Sequence, residues 1–130
     1  MRAAQAKLGG EFVEKGAEFW RELREHQRSF FQDSVPLWRL SVPPATPPMN
    51  LPGKWFIDWG GAQRWLKSDA PAADIRREAE KTGGHATSFR HAKQNGATFH
   101  PLPSKLVVLH QNLKRAFDPD GIMNRGIISM

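Results

Sequence analysis

Cysteine and tyrosine are both absent from the sequence. Without cysteine there can be no disulfide, no iron–sulfur ligation and no thiolate nucleophile, and the composition suits a reducing cytoplasm. No stretch approaches the roughly 18 apolar residues of a membrane span, and the N-terminus carries no signal-peptide hydrophobic region. Motifs that cradle phosphate or present a nucleophilic serine are missing too: there is no G-x-G-x-x-G, G-x-x-x-x-G-K-[ST] or G-x-S-x-G. Negative charge is scarce, with 13 Asp and Glu against 19 Lys and Arg, for a net charge of +6. That bias fits anionic partners or an ordinary solvated basic surface, and it bears on association rather than fold. The histidines have no ligand spacing: His85 and His91, like His100 and His110, are not joined by any H-E-x-x-H. No metal site is expected.

Large apolar groups are present, with five Trp and eight Phe among 130 residues, enough for a core in a single domain spanning 1–130. RAAQAKL at 2–8 favours a helix that Gly9-Gly10 ends, and EFVEKG at 11–16 is a short strand at best. Phe19, Leu23 and Phe30, with Trp20 and Phe31, mark an amphipathic helix over 17–31. LWRLSV after Pro36 alternates cleanly, with Trp38, Leu40 and Val42 on one face and Arg39 and Ser41 on the other. The prolines between Pro43 and Pro52 force a stiff, extended connection. Residues 54–67 read as one long strand interrupted at Gly60-Gly61, where a bulge would change the parity of Arg64 and Trp65. Ser68 or Asp69 then caps a helix that buries Ile75 and Ala79 and stops at Thr82-Gly83-Gly84. HATSFR at 85–90 is a last strand. From Ser104, Leu106, Leu109, Leu113 and Ala116/Phe117 give an apolar helix face that ends at Asp118-Pro119. The order strand, helix, strand, strand, helix, strand predicts an α+β fold: an antiparallel sheet with helices on one face, ferredoxin-like in outline, plus a C-terminal helix.

The order of residues after that last helix carries more than its periodicity. Phe117, Asp118, Pro119, Gly121, Ile122, Asn124 and Gly126 resemble the closing F-D-P-x-G-I-x-N-P-G of FAD-linked oxidases of the vanillyl-alcohol oxidase type, with Arg125 in place of the family's proline. Four further blocks resemble the FAD-binding subunits of bacterial glycolate oxidases (glycolate dehydrogenases): FWRELREHQRSFF at 19–31, PLWRLSVP at 36–43, LPGKWFIDWGGAQRWLKS at 51–68 and GGHATSFR at 83–90. The resemblance implies a C-terminal substrate or cap segment of a larger flavoprotein, whose N-terminal FAD-binding domain is not part of this sequence. It implies FAD in the intact subunit and none held by this chain alone. It also implies a small 2-hydroxy-acid substrate, glycolate going to glyoxylate, and an isolated chain that is inactive. The partners implied are the missing FAD-binding domain, a second flavoprotein subunit and an iron–sulfur subunit, in the cytoplasm or at the inner membrane through those subunits.

By strand alternation the residues opposite the apolar face are Arg39, Asp58, Ser88 and Arg90, with Arg64 joining them if no phase shift occurs. Guanidinium groups beside one carboxylate suit recognition of a small carboxylate or of an acidic surface; ordinary solvated arginines are the alternative. The resemblance implies that such a cap sheet faces the isoalloxazine and shapes the substrate pocket. Oxidation of a 2-hydroxy acid needs a base for the hydroxyl proton, for which His85 beside Gly83-Gly84 is the candidate, a structural histidine at a strand start being the more common alternative. Asn124 is cofactor-proximal by resemblance. A basic single-stranded nucleic-acid-binding α+β domain is the alternative, but KWFIDWGG at 54–61 does not fit the RNA-recognition pattern, and no specific nucleic acid is expected.

Overall fold

The computed structural model describes residues 2–11, 13–91 and 98–123. By its internal contacts the chain divides into two units, Met1–Asp33 and Ser34–Met130.

The first unit holds α1 (Arg2–Leu8) and α2 (Gly16–Arg24), followed by a 3-10 turn at Ser29–Phe31. The described residues of 11–16 form no strand. The helix expected over 17–31 ends seven residues early because His26 adopts a left-handed conformation, φ 53°. The Gln27 N–H then reaches back to the Glu22 carbonyl at 2.8 Å and the His26 N–H to Leu23 at 3.1 Å, the double closure that satisfies a helix's last carbonyls. Aromatic contacts hold the return: His26 stacks on Phe31 with ring centres 4.4 Å apart, and the Arg28 guanidinium lies 4.7 Å from the Phe19 ring.

The second unit is built on four antiparallel strands: β1 (Leu37–Ser41), β2 (Lys54–Asp58), β3 (Gln63–Lys67) and β4 (His85–Arg90), in spatial order β2-β3-β1-β4. That is the ferredoxin-like order, and the α+β expectation holds. The strands are counted differently, however. The run 54–67 is not one strand but a hairpin, reversed by Trp59, Gly60 and Gly61, all with positive φ. A Cβ on Gly61 would stand 2.6 Å from the Pro44 carbonyl oxygen, so only glycine fits beside the proline-rich connection. That connection, residues 42–53, carries the chain from β1 past β3 to β2, where a ferredoxin-like fold would use a helix.

Helix α3 (Ala72–Lys81) makes the second crossover and lays Ile75 and Ala79 on the sheet against Trp38, Leu40, Val42, Leu66 and Ala86. Pro71 holds the N-cap position. Ser68 does not cap the helix; its hydroxyl donates to the Pro52 carbonyl and accepts the Ala70 N–H. The other face is not bare, for Leu37, Trp65, Lys67 and Thr87 are buried there. Phe89 closes edge-on over Trp65, with ring centres 4.9 Å apart.

Beyond β4, residues 98–100 run along that strand's outer edge. Thr98 accepts the Ser88 N–H through its carbonyl, and His100 accepts the Ala86 N–H through Nδ1. Arg76 of α3 secures the same segment by donating to the Phe99 carbonyl. Helix α4 (Ser104–Phe117) follows with no side-chain cap at its start. All of its residues except Val107 and Lys114 are exposed, including the Leu106, Leu109, Leu113 and Phe117 stripe.

Candidate functional site

Alternation and register decide which side chains can meet. Arg39 pairs across to Thr87 and Ser41 to His85, so Arg39, Ser41, His85 and Thr87 share the face opposite α3. His85 is placed there by the end of α3. Gly83, φ 77°, closes the helix through its N–H to the Glu80 carbonyl and Gly84 through its N–H to Ala79. A Cβ on Gly84 would sit 2.3 Å from the Ser41 carbonyl oxygen, so β4 can enter beside β1 only through glycine.

Arg39, His85 and Thr87 open into a cleft of about 970 Å³ at the β4 end of the sheet, walled by the 98–103 segment and the first turns of α4. Phe99, Leu102, Leu106 and Val107 give it an apolar wall, and Arg39, His85 and His110 its basic side. Arg39 has no hydrogen-bond or ion-pair partner among the described residues. The carboxylate lining the cleft, Glu80, is committed instead: its Oε1 lies 3.1 Å from His100 Nε2. His100 is thereby engaged at both ring nitrogens, accepting at Nδ1 and donating at Nε2. Its ring centre is 6.5 Å from that of His85, whose own nitrogens meet no partner among the described residues.

The other expected site residues lie elsewhere. Asp58 ends β2 at the opposite edge of the sheet, where its Oδ1 accepts the Trp59 N–H at 2.8 Å and starts the hairpin turn. Arg64 does not share a face with Arg39. It pairs with Leu40 on the α3 side and is 5% exposed. Its Nε donates to the Gly61 carbonyl and its Nη1 to Pro47, and its Nη2 binds the Thr46 carbonyl. It ties the proline-rich connection to the hairpin turn. Ser88 likewise faces the α3 side, opposite Trp38, and is buried. Arg90 pairs with Leu37 beyond a bulge, exposed and outside the cleft lining. Asn124 lies outside the described residues.

At the end of α4 the motif residue Asp118 is a clasp. It is buried, forms an ion pair with Lys114, and accepts the N–H groups of Ile122 at 2.9 Å and Met123 at 3.1 Å. Lys114 and then those two donors hold its carboxyl below the usual 3.8, outweighing the burial that pushes the other way. The conspicuous F-D-P-D-G-I run therefore builds a turn. Among the described residues no three His, Cys, Asp or Glu side chains could hold a metal, and no helix is long and apolar enough to cross a membrane.

The second unit is thus an α+β fold, a four-stranded antiparallel sheet with a crossover helix, a cleft at one end and a C-terminal helix closed by the Asp118 clasp. Among characterised proteins, the chain is similar to glycolate oxidase subunit GlcE of Escherichia coli (strain K12), with 48% identity over 126 residues, 97% of this chain. The resemblance of its sequence blocks to glycolate oxidase subunits is borne out. The chain spans about a third of that relative, 35% of its length. No family model and no solved structure matches the chain.

Proposed function

We propose that the chain is the C-terminal part of an FAD-binding glycolate oxidase subunit, contributing the surface that meets the substrate beside the flavin. The observation that carries this reading is the cleft, where a guanidinium and an imidazole with no hydrogen-bond partner among the described residues line one face of the sheet in a chain related to a glycolate oxidase subunit. Arg39 would hold the carboxylate of a 2-hydroxy acid, and His85 would accept the hydroxyl proton as glycolate becomes glyoxylate. FAD, held by the remainder of the subunit, supplies the acceptor for the hydride. The exposed stripe of α4 supports the same reading. A solitary helix of 14 residues is marginal in water, and this one contains no acidic residue. Two copies pairing through it would oppose cation to cation, so its cover is a different surface. The rest of the subunit is the proposed cover, with a second flavoprotein subunit and an iron–sulfur subunit as further partners in the cytoplasm. The nucleic-acid reading gains nothing here, because Trp65, the aromatic of the central strands on that face, is only 4% exposed and cannot stack on a base.

Two experiments test the proposal. The purified chain alone should be colourless; stoichiometric flavin retained after desalting would overturn the assignment of FAD to the rest of the subunit. In the intact subunit, Arg39→Ala should raise the KM for glycolate and leave bound FAD in place. An unchanged KM would remove Arg39 from the substrate site.

A further inference from the structure

Strand β2 ends the sheet with β3 on its inner side, and its residues run Lys54-Trp55-Phe56-Ile57-Asp58. A cation opens the strand and an anion closes it, and neither is neutralised within its own sheet. Lys54 stands directly opposite Lys67 across the β2–β3 ladder, a like-charge pairing that costs stability. It meets no carboxylate among the described residues. Asp58 stands opposite Gln63 and spends Oδ1 on the Trp59 N–H, which leaves Oδ2 without a cation among the described residues. Lys54, Phe56 and Asp58 share the cleft face of the strand, and Trp55 and Ile57 the α3 face. Trp55 packs partly against the core, whereas Ile57 is 60% exposed.

We infer that β2 is the seam of a homodimer. A second copy lays its own β2 antiparallel on the first across a two-fold axis at Phe56, which joins two four-stranded sheets into one. In that register Lys54 meets the partner subunit's Asp58 at one end of the seam, and Asp58 meets the partner subunit's Lys54 at the other. On the α3 face the exposed Ile57 gains the partner subunit's Trp55, the aliphatic–aromatic cross-strand pairing that stabilises antiparallel strands. The order of charges selects this arrangement. A parallel copy opposes lysine to lysine and aspartate to aspartate. Sliding an antiparallel copy by two residues removes both ion pairs, and sliding it by one turns every side chain to the wrong face. Such a contact uses the same surface on both copies and closes at two. It is one strand deep, which places it among the weak, concentration-dependent interfaces of less than about 1,200 Å². The inference uses neither the cleft nor α4, so it stands or falls apart from the flavoprotein reading.

Charge reversal tests it on the whole chain. Sedimentation velocity should show monomer giving way to dimer as concentration rises. Lys54→Asp turns two attractive pairs into two repulsive ones and should raise the dissociation constant by about tenfold or more, as should Asp58→Lys. Mixed in equal amounts, the two variants should associate with each other, because aspartate then faces lysine at both ends of the seam. Amide exchange at Trp55, Phe56 and Ile57 should slow with concentration in the unaltered chain and not in Lys54→Asp. Asp58 also holds the hairpin turn, so if Asp58→Lys fails to fold, Lys54→Asp and the exchange measurement decide the matter. A chain that stays monomeric, a dimer indifferent to Lys54→Asp, or folded variants that ignore each other when mixed would each overturn the inference. So would a dimer that leaves exchange in β2 unchanged and is lost in Leu109→Asp, which would put the contact on α4.

Discussion

Two adjacent side chains of β1 have opposite duties. Trp38 is buried against α3, its ring 5.7 Å from the Arg76 guanidinium carbon, while Arg39 projects into the cleft. Trp38→Ala should cost about 3–5 kcal/mol in a denaturant titration, whereas Arg39→Ala should cost less than about 1 kcal/mol. Equal losses would mean that the strand is buried on both sides at this point. Arg64 belongs with Trp38 rather than with Arg39, because its three donor nitrogens each meet a main-chain carbonyl. Arg64→Lys keeps the charge but not the planar fork, so it should lose most of what Arg64→Ala loses, about 2–4 kcal/mol by the same titration. If lysine restores full stability, the fork geometry is irrelevant and charge alone suffices.

Elements with orthodox ends were legible in the sequence. Thr82-Gly83-Gly84 stops α3 with glycine at the left-handed position, and Asp118-Pro119 stops α4 after Phe117. The alternation of LWRLSV gave the right face to every residue from Trp38 to Val42, and so brought Arg39 to the site. The misreadings have distinct causes. His26 takes positive φ without being glycine, so the end of α2 carried no glycine signal, whereas the Gly60-Gly61 pair was read as a bulge within one strand when it turns a hairpin. Missing that reversal left the face of Arg64 unsettled. Ser88 was misplaced differently, since His85 and Thr87 align with the Arg39 face while Ser88 pairs with Trp38; Arg90 pairs with Leu37 beyond a bulge. His100 was invisible because it reaches the site through a non-periodic segment. The clasp at the end of α4 has its own pH signature. A carboxyl whose folded pKa is depressed contributes its full stabilisation above about 3.8, the unfolded value, and loses it as pH falls through the lower folded value. Amide exchange at Ile122 and Met123 should therefore be slow, relative to unstructured peptide, at pH 5–7 and lose that protection only well below pH 4. Asp118→Ala should remove the protection throughout; unchanged protection in that variant would mean that Asp118 is not the clasp.

For the whole molecule, what matters is how a four-stranded sheet finishes. Its β2 edge carries Lys54 and Asp58, charges that discourage any strand but a second β2 from adding there. The β4 edge has no such guard in His85–Arg90 until the terminal arginine, and depends instead on the 98–100 cover, in which an imidazole nitrogen stands where a strand would offer a carbonyl. Removing that nitrogen frees the Ala86 N–H and loosens the cover at Glu80 as well. His100→Ala should then convert a dispersed protein into one that polymerises edge to edge, seen as rising light scattering and thioflavin fluorescence at concentrations where the parent stays clear. His100→Asn, whose amide oxygen can accept the same N–H, should stay clear. If both variants remain dispersed, the cover is held by Thr98 and Arg76 alone. A single imidazole would thus act as this sheet's defence against amyloid-like growth.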